Sequence, residues 1–266
     1  MAAKIKVIIV GALGKMGRES AKAVDKDNSL ELVGLIDIKQ DGTLRSQITG
    51  VTEADFAVES DLESILQNTQ VDVMVDFTNP HSVLENAKLA IRHKVSCVIG
   101  TTGLTEVEMD ELKSLMKENG VGLSIIPNFA VGAVLMMKMA AEASKYLPDV
   151  EIIELHHNQK MDAPSGTAIK TAEMISQQRG AFTPKSAQEY EKLTGARGAD
   201  MNNVHIHSVR LPGLIAHQEV ILGGLGQTLT IRHDSYDRIS FMPGVLLAIQ
   251  KTYQNQEFVY GLEYML

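Results

Sequence analysis

Cysteine is almost absent from the chain, because Cys97 is the one such residue among 266. A single thiol excludes an intrachain disulfide and a zinc site built from cysteines, and it fits a reducing compartment. Cys97 lies in an apolar run over residues 95–99 that is typical of a buried strand. We therefore expect an inert core thiol at this position and not a nucleophile.

Long apolar runs and excess positive charge are also missing. No apolar run reaches the ~18 residues of a membrane span, and the first residues lack the hydrophobic region of a signal peptide. The 25 lysines and arginines stand against 33 aspartates and glutamates, a net charge of −8. That balance argues against nucleic-acid binding, and no helix-turn-helix pattern is found. We expect a cytoplasmic protein that acts on small molecules, without a nucleic-acid or membrane partner.

The N-terminal half of the chain alternates between short apolar strands and helices. This alternation predicts a parallel sheet with its ligand at the carboxyl ends of the strands, and the length predicts two domains. The predicted fold class is α/β, with a Rossmann-like dinucleotide-binding domain over residues 1–128, onto which the C-terminal helical segment 235–266 packs back. A C-terminal α+β domain with an open mixed sheet is predicted over residues 129–234, for substrate binding and oligomerisation.

Local patterns predict several individual elements. Thr105 and Glu108 form a capping box at a helix start, and Ser60 is a candidate cap for an earlier helix. Other segments are predicted from their composition: a loop over 38–53, a short strand over 55–58 and a loop over 180–203.

Three strands are predicted in the second domain, over residues 204–210, 217–222 and 227–233, and the short turns between them favour an antiparallel arrangement. Helices on one side of such a sheet would leave an apolar face exposed, which is typical of an interface between subunits. His205 and His207 form an H-x-H pattern on one strand. Because no third ligand is placed, a polar sheet face is favoured over a metal site, and no metal is expected.

A glycine-rich turn joins the first strand to the first helix. Gly11, Gly14 and Gly17 form a G-x-x-G-x-x-G pattern, close to the dinucleotide fingerprint but with a longer first spacing. Asp37 follows the second strand, where an acidic residue that binds the adenosine ribose is expected. A glycine-rich turn without a ligand is the alternative, and the strand–turn–helix context favours a nucleotide site.

Three further segments reach the same edge of the predicted sheet: Phe77–Thr78, 100–102 and 128–129. Phe77 faces a nicotinamide ring or fills the core, and we favour the first interpretation slightly. Asp37 repels a 2′-phosphate and thereby favours NADH, whereas Lys39 attracts that phosphate. We therefore expect the use of both NADH and NADPH, with NADH at least as good.

The segment 154–168 is the most informative part of the chain. It follows a strand rich in β-branched residues, and it carries His156, His157 and Lys160. Imidazoles exchange protons near neutral pH, and the lysine adds a cation. These residue types together suit a small acidic substrate.

The same segment ends at a predicted helix start. Pro164 suits the first turn of a helix, and Ser165, Gly166 and Thr167 would present backbone N–H groups to an anion. From the residues alone, two interpretations stay open. The segment is either the site of a small acidic substrate or an ordinary capped helix after an edge strand, with solvated histidines.

These motifs resemble the 4-hydroxy-tetrahydrodipicolinate reductase family, formerly dihydrodipicolinate reductase, of bacterial lysine and diaminopimelate synthesis. The resemblance covers nearly the whole chain and rests on residues 11–18, 76–78, 100–103, 128–132, 154–168 and 208–210. It implies the reduction of a cyclic, unsaturated imine dicarboxylate by NADH or NADPH with loss of water. It also implies a homotetramer that assembles through the second-domain sheet.

The resemblance further implies residue roles. His156 and Lys160 are the implied acid–base pair, and the implied substrate contacts are His157, Lys160, Ser165, Gly166 and Thr167. The implied cofactor contacts are Gly11, Ala12, Leu13, Gly14, Lys15, Met16, Asp37, Gly100, Thr101, Thr102, Ile126, Pro127, Asn128 and Phe129. The family often has arginine at the position of Lys15 and glutamate at that of Asp37, which bears on cofactor preference.

Two other functions compete with this interpretation. A different two-domain NAD(P) dehydrogenase would keep the features of residues 1–128 but not the segment 154–168. A nucleotide-sensing regulator would need a DNA-binding element or a basic face, and the sequence has neither.

Overall fold

The computed structural model describes residues 3–39, 42–182 and 190–266. The chain divides into two compact units, one formed by Met1–Phe129 with Phe241–Leu266 and the other by Ala130–Ser240. The sequence predicts the second boundary at residue 234, whereas the second unit continues to Ser240. The reason is that Ser235 still pairs with Ala216 in the sheet of that unit.

The elements follow each other in an alternating order along most of the chain. The strands are β1 (Ile5–Val10), β2 (Leu30–Ile36), β3 (Val73–Asp76), β4 (Ser96–Ile99), β5 (Leu123–Ile125), β6 (Asp149–His156), β7 (Ala199–Asp200), β8 (Val204–Arg210), β9 (Ala216–Gly224), β10 (Gln227–Ser235) and β11 (Phe258–Tyr260). The α-helices are α1 (Lys15–Lys26), α2 (Arg45–Thr49), α3 (Leu62–Asn68), α4 (Val83–Arg92), α5 (Glu106–Asn119), α6 (Val131–Ala143), α7 (Gly166–Arg179) and α8 (Met242–Asn255). Short 3₁₀ turns cover Arg238–Phe241 and Leu262–Tyr264.

The first unit is built on a parallel sheet with the strand order β11-β5-β4-β3-β1-β2. Strands β3 and β4 are buried along their whole length, as expected for a parallel sheet that is covered on both faces. Cys97 lies in β4 and is buried, and burial raises the pKa of its thiol far above the usual range. The strand order and the parallel pairing confirm the predicted Rossmann-like α/β class.

The C-terminal segment completes this sheet. After α8, strand β11 pairs in parallel with β5, and the Leu123 N–H donates to the Glu257 carbonyl at 3.0 Å. The sequence predicts a helix for this part of the chain and no strand. A strand of three residues carries too little periodicity to be recognised without its partner.

The second unit contains a mixed sheet with the strand order β10-β9-β6-β8-β7. Strand β6 is parallel to β8 and antiparallel to β9, and β9 is antiparallel to β10. Strands β8 and β9, like β9 and β10, therefore run antiparallel, as predicted, but β8 and β9 are not neighbours in the sheet, because β6 lies between them. The connection of residues 211–215 crosses the end of β6 instead of forming a hairpin.

Helices α6 and α7 pack on one face of this second sheet. The Gln218 side chain of β9 donates to the Thr171 hydroxyl of α7 at 2.8 Å, and His233 of β10 lies against Gly132 of α6. The other face, which we call the open face, was expected to be apolar. It is mixed, because Ile153 and Ile221 alternate with charged side chains such as Glu151, Glu219 and Arg232.

Several local predictions need correction. Helix α2 lies inside the predicted loop 38–53, and the predicted strand 55–58 is replaced by isolated bridges at Ala57 and Glu59. The cap of α3 is Asp61 and not Ser60, since the Asp61 carboxylate accepts the Ser64 N–H at 3.0 Å. Serine and aspartate are both common N-cap residues, so the adjacent Ser60 and Asp61 could not be distinguished from the sequence.

The capping box at the start of α5 is confirmed, with Thr105 and Glu108 exchanging hydrogen bonds. Within the predicted loop 180–203, β7 forms a short pair with β8, and residues 183–189 lie outside the described residues. Residues 40–41 of the predicted loop 38–53 also lie outside them. Among the helices in the described ranges, none has the length and hydropathy of a membrane span.

Candidate active site

The glycine turn of the first unit is packed tightly against the end of β3. Gly11 has a φ of +81°, and a Cβ at this position would lie 2.7 Å from the Phe77 carbonyl oxygen. A Cβ at Gly14 would lie 3.2 Å from the Gly11 carbonyl oxygen, and one at Gly17 would overlap the same atom. Side chains are therefore excluded at Gly11 and Gly17, and the backbone there is left open to a close ligand.

Asp37 ties this turn to the end of β2. One carboxylate oxygen of Asp37 accepts the Leu13 N–H at 2.9 Å, and the other accepts the Lys39 N–H at 3.0 Å. Arg18 holds the turn from the helix side, by donating to the Leu13 carbonyl at 3.1 Å. Each carboxylate oxygen keeps a second lone pair, so Asp37 can still accept a hydrogen bond from a ribose hydroxyl.

Asp76, at the end of β3, organises the neighbouring strand ends. It is fully buried, and one of its oxygens accepts the Thr78 N–H at 2.9 Å, the Thr78 hydroxyl at 2.7 Å and the Thr101 hydroxyl at 2.9 Å. The other oxygen accepts from the Asn86 amide at 2.9 Å. No role for Asp76 is predicted from the sequence; its position at the end of a buried strand is the signal that could have revealed one.

Two cavities open around these strand ends. One, of about 340 Å³, is lined by Gly11, Asp37, Lys39, Phe77 and eleven other residues. The other, of about 510 Å³, is lined by Gly14, Lys15, Met16, Pro80, Phe77, Thr78, Asn79, Gly100, Thr101 and Thr102. They share part of the glycine turn and the segment after β3, so together they form a continuous lining at the carboxyl edge of the sheet.

The position of the Phe77 ring is compatible with both roles considered for it, which are facing a nicotinamide ring and filling the core. It lines both cavities, and it packs edge-on against Phe129 with ring centroids 5.5 Å apart. Gly100 lies directly against both rings, with no room for a Cβ. Of the predicted cofactor contacts in the described part of the first unit, those that line neither cavity are Ala12, Ile126, Pro127, Asn128 and Phe129.

In the second unit, several polar side chains lie together at the end of β6. Glu154 and His156 are two residues apart on this strand and therefore face the same side of the sheet, the side of the helices. The His156 Nδ1 atom is hydrogen-bonded to a Glu154 carboxylate oxygen. Across the sheet, Glu154 lies opposite Ser208 and Gln218, and His156 lies opposite Arg210.

Arg210 holds Glu154 with a two-pronged contact. Its two terminal nitrogens each lie 2.8 Å from one carboxylate oxygen. Arg210 also donates to the Asp162 carbonyl at 2.7 Å, so it links the end of β8 to the turn that follows β6. No role for Glu154 or Arg210 is predicted from the sequence, although both lie in the motifs that indicate the family, because their pairing depends on strand register.

Lys160 lies in this turn, partly buried. Its ammonium group lies 2.8 and 2.9 Å from the two carboxylate oxygens of Asp162. His157 is exposed, and its carbonyl accepts the Lys160 N–H at 3.2 Å. The turn therefore presents an imidazole and an ammonium group close to the end of β6.

The helix start that follows differs in one detail from the prediction. Ser165 is the N-cap of α7, and its hydroxyl accepts the Ala168 N–H at 3.2 Å. Pro164 therefore precedes the cap instead of lying in the first helical turn, and its peptide bond is cis. The Ser165 N–H donates to Glu154 at 3.3 Å, while Gly166 is exposed, with open space around it.

The charges near the end of β6 shift the pKa values of Glu154 and His156. Burial alone would raise the pKa of Glu154, but hydrogen bonds from Arg210, Ser208 and His156 hold that pKa below its usual value. Burial lowers the pKa of His156; Glu154 opposes this change, and the charges of Lys160 and Arg210 reinforce it. Glu154 is therefore a carboxylate, and His156 favours its neutral form at pH 7.

The H-x-H pair lies elsewhere, on the open face. His207 contacts Glu151 at 2.8 Å, as part of a polar cluster with Arg197. Among the described residues, no group of three or more histidine, cysteine, aspartate or glutamate side chains is arranged to hold a metal ion.

A parallel sheet with an open glycine turn, together with a second unit that carries an imidazole and an ammonium group at a helix start, defines a two-domain, dinucleotide-dependent oxidoreductase. Solved structures and curated relatives narrow this class. A dipicolinate-bound dihydrodipicolinate reductase from Paenisporosarcina sp. TG-14 superposes with a TM-score of 0.88 at 47% identity, covering 99% of this chain and 100% of its own. The 4-hydroxy-tetrahydrodipicolinate reductase of Syntrophomonas wolfei is 58% identical over the whole length of both proteins. That of Desulfitobacterium hafniense is 51% identical over 98% of each.

Family models described as the N-terminus and the C-terminus of dihydrodipicolinate reductase match residues 5–129 and 132–266, so the chain belongs to the dihydrodipicolinate reductase family. It is an NAD(P)H-dependent oxidoreductase of lysine and diaminopimelate biosynthesis, and it acts on a small molecule. The family expected from the sequence motifs is confirmed.

Proposed function

We propose that the enzyme reduces 4-hydroxy-tetrahydrodipicolinate to tetrahydrodipicolinate with loss of water, using NADH or NADPH. The observation that carries this proposal is the arrangement at the end of β6. There, His156 is held by a buried carboxylate, Lys160 follows in the next turn, and the capped start of α7 comes directly after. This arrangement suits a small dicarboxylate that must receive a proton.

The substrate is proposed to bind at the turn and at the helix start. The residues proposed to contact it are His157, Lys160, Ser165, Gly166 and Thr167. Gly166 leaves open space in front of the first turn of α7, where backbone N–H groups and the helix dipole favour a carboxylate. The Lys160 ammonium adds a positive charge for an anionic ligand.

His156 and Lys160 are proposed as the acid–base pair. Hydride addition to a conjugated imine builds negative charge on the ring, and a proton donor close to that charge lowers the barrier. The Nδ1 atom of His156 is engaged by Glu154, so Nε2 is the ring nitrogen left to face the substrate. General acid help of this kind typically contributes ~10²–10⁴-fold to the rate.

The first unit is proposed to hold the dinucleotide through its glycine turn, Asp37 and the strand ends around Phe77 and Gly100. The turn fits such a group, because Gly11 and Gly17 exclude side chains and the turn adjoins two cavities. When bound, the nicotinamide supplies the hydride. Asp37 is proposed to accept ribose hydroxyls, and Lys39, which lines the same cavity, to attract a 2′-phosphate, so both NADH and NADPH serve.

Assembly and location complete the proposal. The open face of the second sheet, which carries the partly buried side chains of Ile153 and Ile221, supports a symmetric homotetramer formed through this face. Membership of a biosynthetic pathway and a single buried thiol support a location in the cytoplasm.

The direct test is turnover by the purified protein. The condensation product of pyruvate and aspartate semialdehyde is supplied together with NADH, and the loss of NADH absorbance is followed. We expect oxidation that depends on both condensation partners and on the enzyme. Oxidation that proceeds with other imines or ketones but not with this product would show a different dehydrogenase.

A further inference from the structure

We infer that Glu154 and Arg210 are positioning residues, which together hold His156 in one orientation with its proton on Nδ1. The inference rests on the proposed function, because it concerns the reaction in which His156 is proposed to act. Neither residue is proposed to touch the substrate or the cofactor. Their effect reaches the reaction through the imidazole.

The first observation is that Glu154 is fully buried in the middle of a sheet, where a carboxylate is costly. Each of its oxygens is engaged. One accepts from Arg210 and contacts His156 Nδ1; the other accepts from Arg210 and from the Ser165 N–H. A carboxylate held on both oxygens by the arginine fork cannot rotate, so the direction in which it faces the imidazole is fixed.

The second observation concerns the proton on His156. An ionised carboxylate accepts hydrogen bonds and cannot donate one, so the Nδ1 atom must carry the proton. In the neutral ring this leaves Nε2 as the nitrogen with a free lone pair, and in the imidazolium ring it leaves Nε2–H as the donor. Glu154 thereby selects which ring nitrogen exchanges a proton with the substrate.

The third observation is the charge balance. The charged groups that act on His156 are Glu154 on its own strand, Arg210 on β8 and Lys160 in the following turn. Arg210 neutralises Glu154, which keeps the carboxylate ionised without turning the imidazole permanently into a cation. The pair therefore orients His156 while leaving it able to gain and lose a proton.

Stability alone does not account for this cluster. A buried carboxylate–arginine pair is often no more stabilising than apolar residues of the same size. The Arg210 guanidinium also bonds the Asp162 carbonyl at 2.7 Å, so it joins the carboxylate to the turn that carries Lys160. Both members of the proposed acid–base pair are thus anchored through Arg210.

The test compares three variants with the wild-type enzyme. Glu154→Gln keeps the shape and removes the charge. We expect this variant to bind NADH as the wild type does but to lose about 10²-fold in kcat. Because Glu154 raises the pKa of His156, its loss should move the His156 limb of the kcat/KM profile to lower pH. That direction holds whether the imidazole acts as acid or as base.

Glu154→Asp serves if Glu154→Gln does not fold, because it keeps the charge but withdraws the carboxylate from Nδ1. We expect a loss in kcat here as well. Asp25→Asn is the matched control, since it breaks another buried carboxylate–arginine pair, that of Asp25 with Arg45, which the proposed reaction does not use. It should melt at a lower temperature but keep the wild-type pH profile.

A readout independent of turnover is the ¹⁵N chemical shift of the His156 ring, which reports the protonated nitrogen. We expect Nδ1–H in the neutral wild-type ring and a change of tautomer in Glu154→Gln. Wild-type kcat in Glu154→Gln, or lower kcat with an unmoved pH limb and tautomer, would overturn the inference. Failure of the proposed function would give a different result. The wild-type enzyme would then not turn over the proposed substrate, or His156→Ala would keep wild-type activity.

Discussion

Glu151 and Glu154 lie on the same strand, β6, but their side chains occupy opposite faces of the second sheet. Each carboxylate is bonded to one arginine and one histidine. Glu151 contacts Arg197 at 2.6 Å and His207 at 2.8 Å, and its side chain is 37% exposed. Glu154 is fully buried next to Arg210 and His156.

The two clusters therefore have nearly the same composition in different surroundings. In the exposed cluster, water screens the charges, and such pairs contribute little. In the buried cluster, the low dielectric makes each contact stronger and fixes the geometry. Burial at the end of β6, and not residue type, distinguishes the histidine proposed for the reaction from the one on the open face.

The first prediction concerns His156 and Lys160. Lys160→Ala removes a cation and a proton donor, and His156→Ala removes the imidazole; each should lower kcat/KM by ~10²–10⁴-fold, or about 3–5 kcal/mol. The double variant should lose less than the sum if both serve one proton transfer. Steady-state kinetics check this, with NADH titration and a thermal melt as controls. Near-wild-type turnover of Lys160→Ala would mean that the segment is only a structural cap.

The second prediction concerns the choice of cofactor. Lys39→Ala should weaken the use of NADPH and leave that of NADH nearly unchanged. The reason is that Lys39 is proposed to bind only the 2′-phosphate, which NADH lacks. The wild-type enzyme should use NADH at least as well as NADPH. Values of kcat/KM for both cofactors decide the point. A wild-type preference for NADPH of tenfold or more, about 1.4 kcal/mol, would contradict it.

The third prediction concerns the glycine turn. Gly17→Ala places a methyl group on the Gly11 carbonyl oxygen, a backbone atom that cannot move away, and should destabilise the protein by about 1–3 kcal/mol. Gly14→Ala is the matched control, since its Cβ lies 3.2 Å from the same oxygen. Denaturant unfolding of both variants measures the difference. Equal stabilities would show that the turn adapts and is not closely packed.

The fourth prediction concerns assembly. The wild-type protein should sediment as a tetramer at micromolar concentration, and Ile221→Lys, on the open face, should shift it to smaller species. Leu225→Lys is the control, because Leu225 is an exposed apolar residue in the turn between β9 and β10. A wild-type monomer at micromolar concentration, or a tetramer that is insensitive to Ile221→Lys, would refute an interface through this face.

The fifth prediction concerns stability in mild acid. Burial lowers the pKa of His233 in the folded protein, while Asp234 opposes this and His217 reinforces it. The unfolded chain, with a pKa of about 6.5, then binds the proton more readily, so this contribution is complete above that value and is lost as the pH falls through the folded pKa. His233→Gln should therefore flatten the decline in melting temperature between about pH 7 and pH 5. An unchanged slope would assign the decline to other groups, such as His156.

Local sequence patterns predicted much of the first unit correctly. Strands β1 and β2 are apolar runs with clear ends, and the capping box of α5 is a contact between residues three positions apart. Such elements depend on neighbours in the chain, so their signal is present in a short window of sequence. The segment 154–168 was likewise recognisable, because its histidines, its lysine and the following helix start lie close together in the sequence.

Contacts between distant parts of the chain could not be predicted in the same way. The pairing of β11 with β5, and the position of β6 between β8 and β9, depend on which strands meet after folding. The choice of Asp61 over Ser60 as a cap depends on the backbone path at that turn. In each case, the neighbouring sequence is compatible with more than one strand partner or cap residue.

The sequence by itself determined the α/β class, the glycine turn, the family and the identity of the residues proposed for binding and proton transfer. Only the tertiary structure decided which partners those residues have. Arg210 meets Glu154 because β8 pairs with β6 in one register, and a shift of one residue would turn Arg210 to the open face. The sequence specifies the residue types, whereas the partner of a buried charge depends on strand register and burial, which are properties of the whole fold.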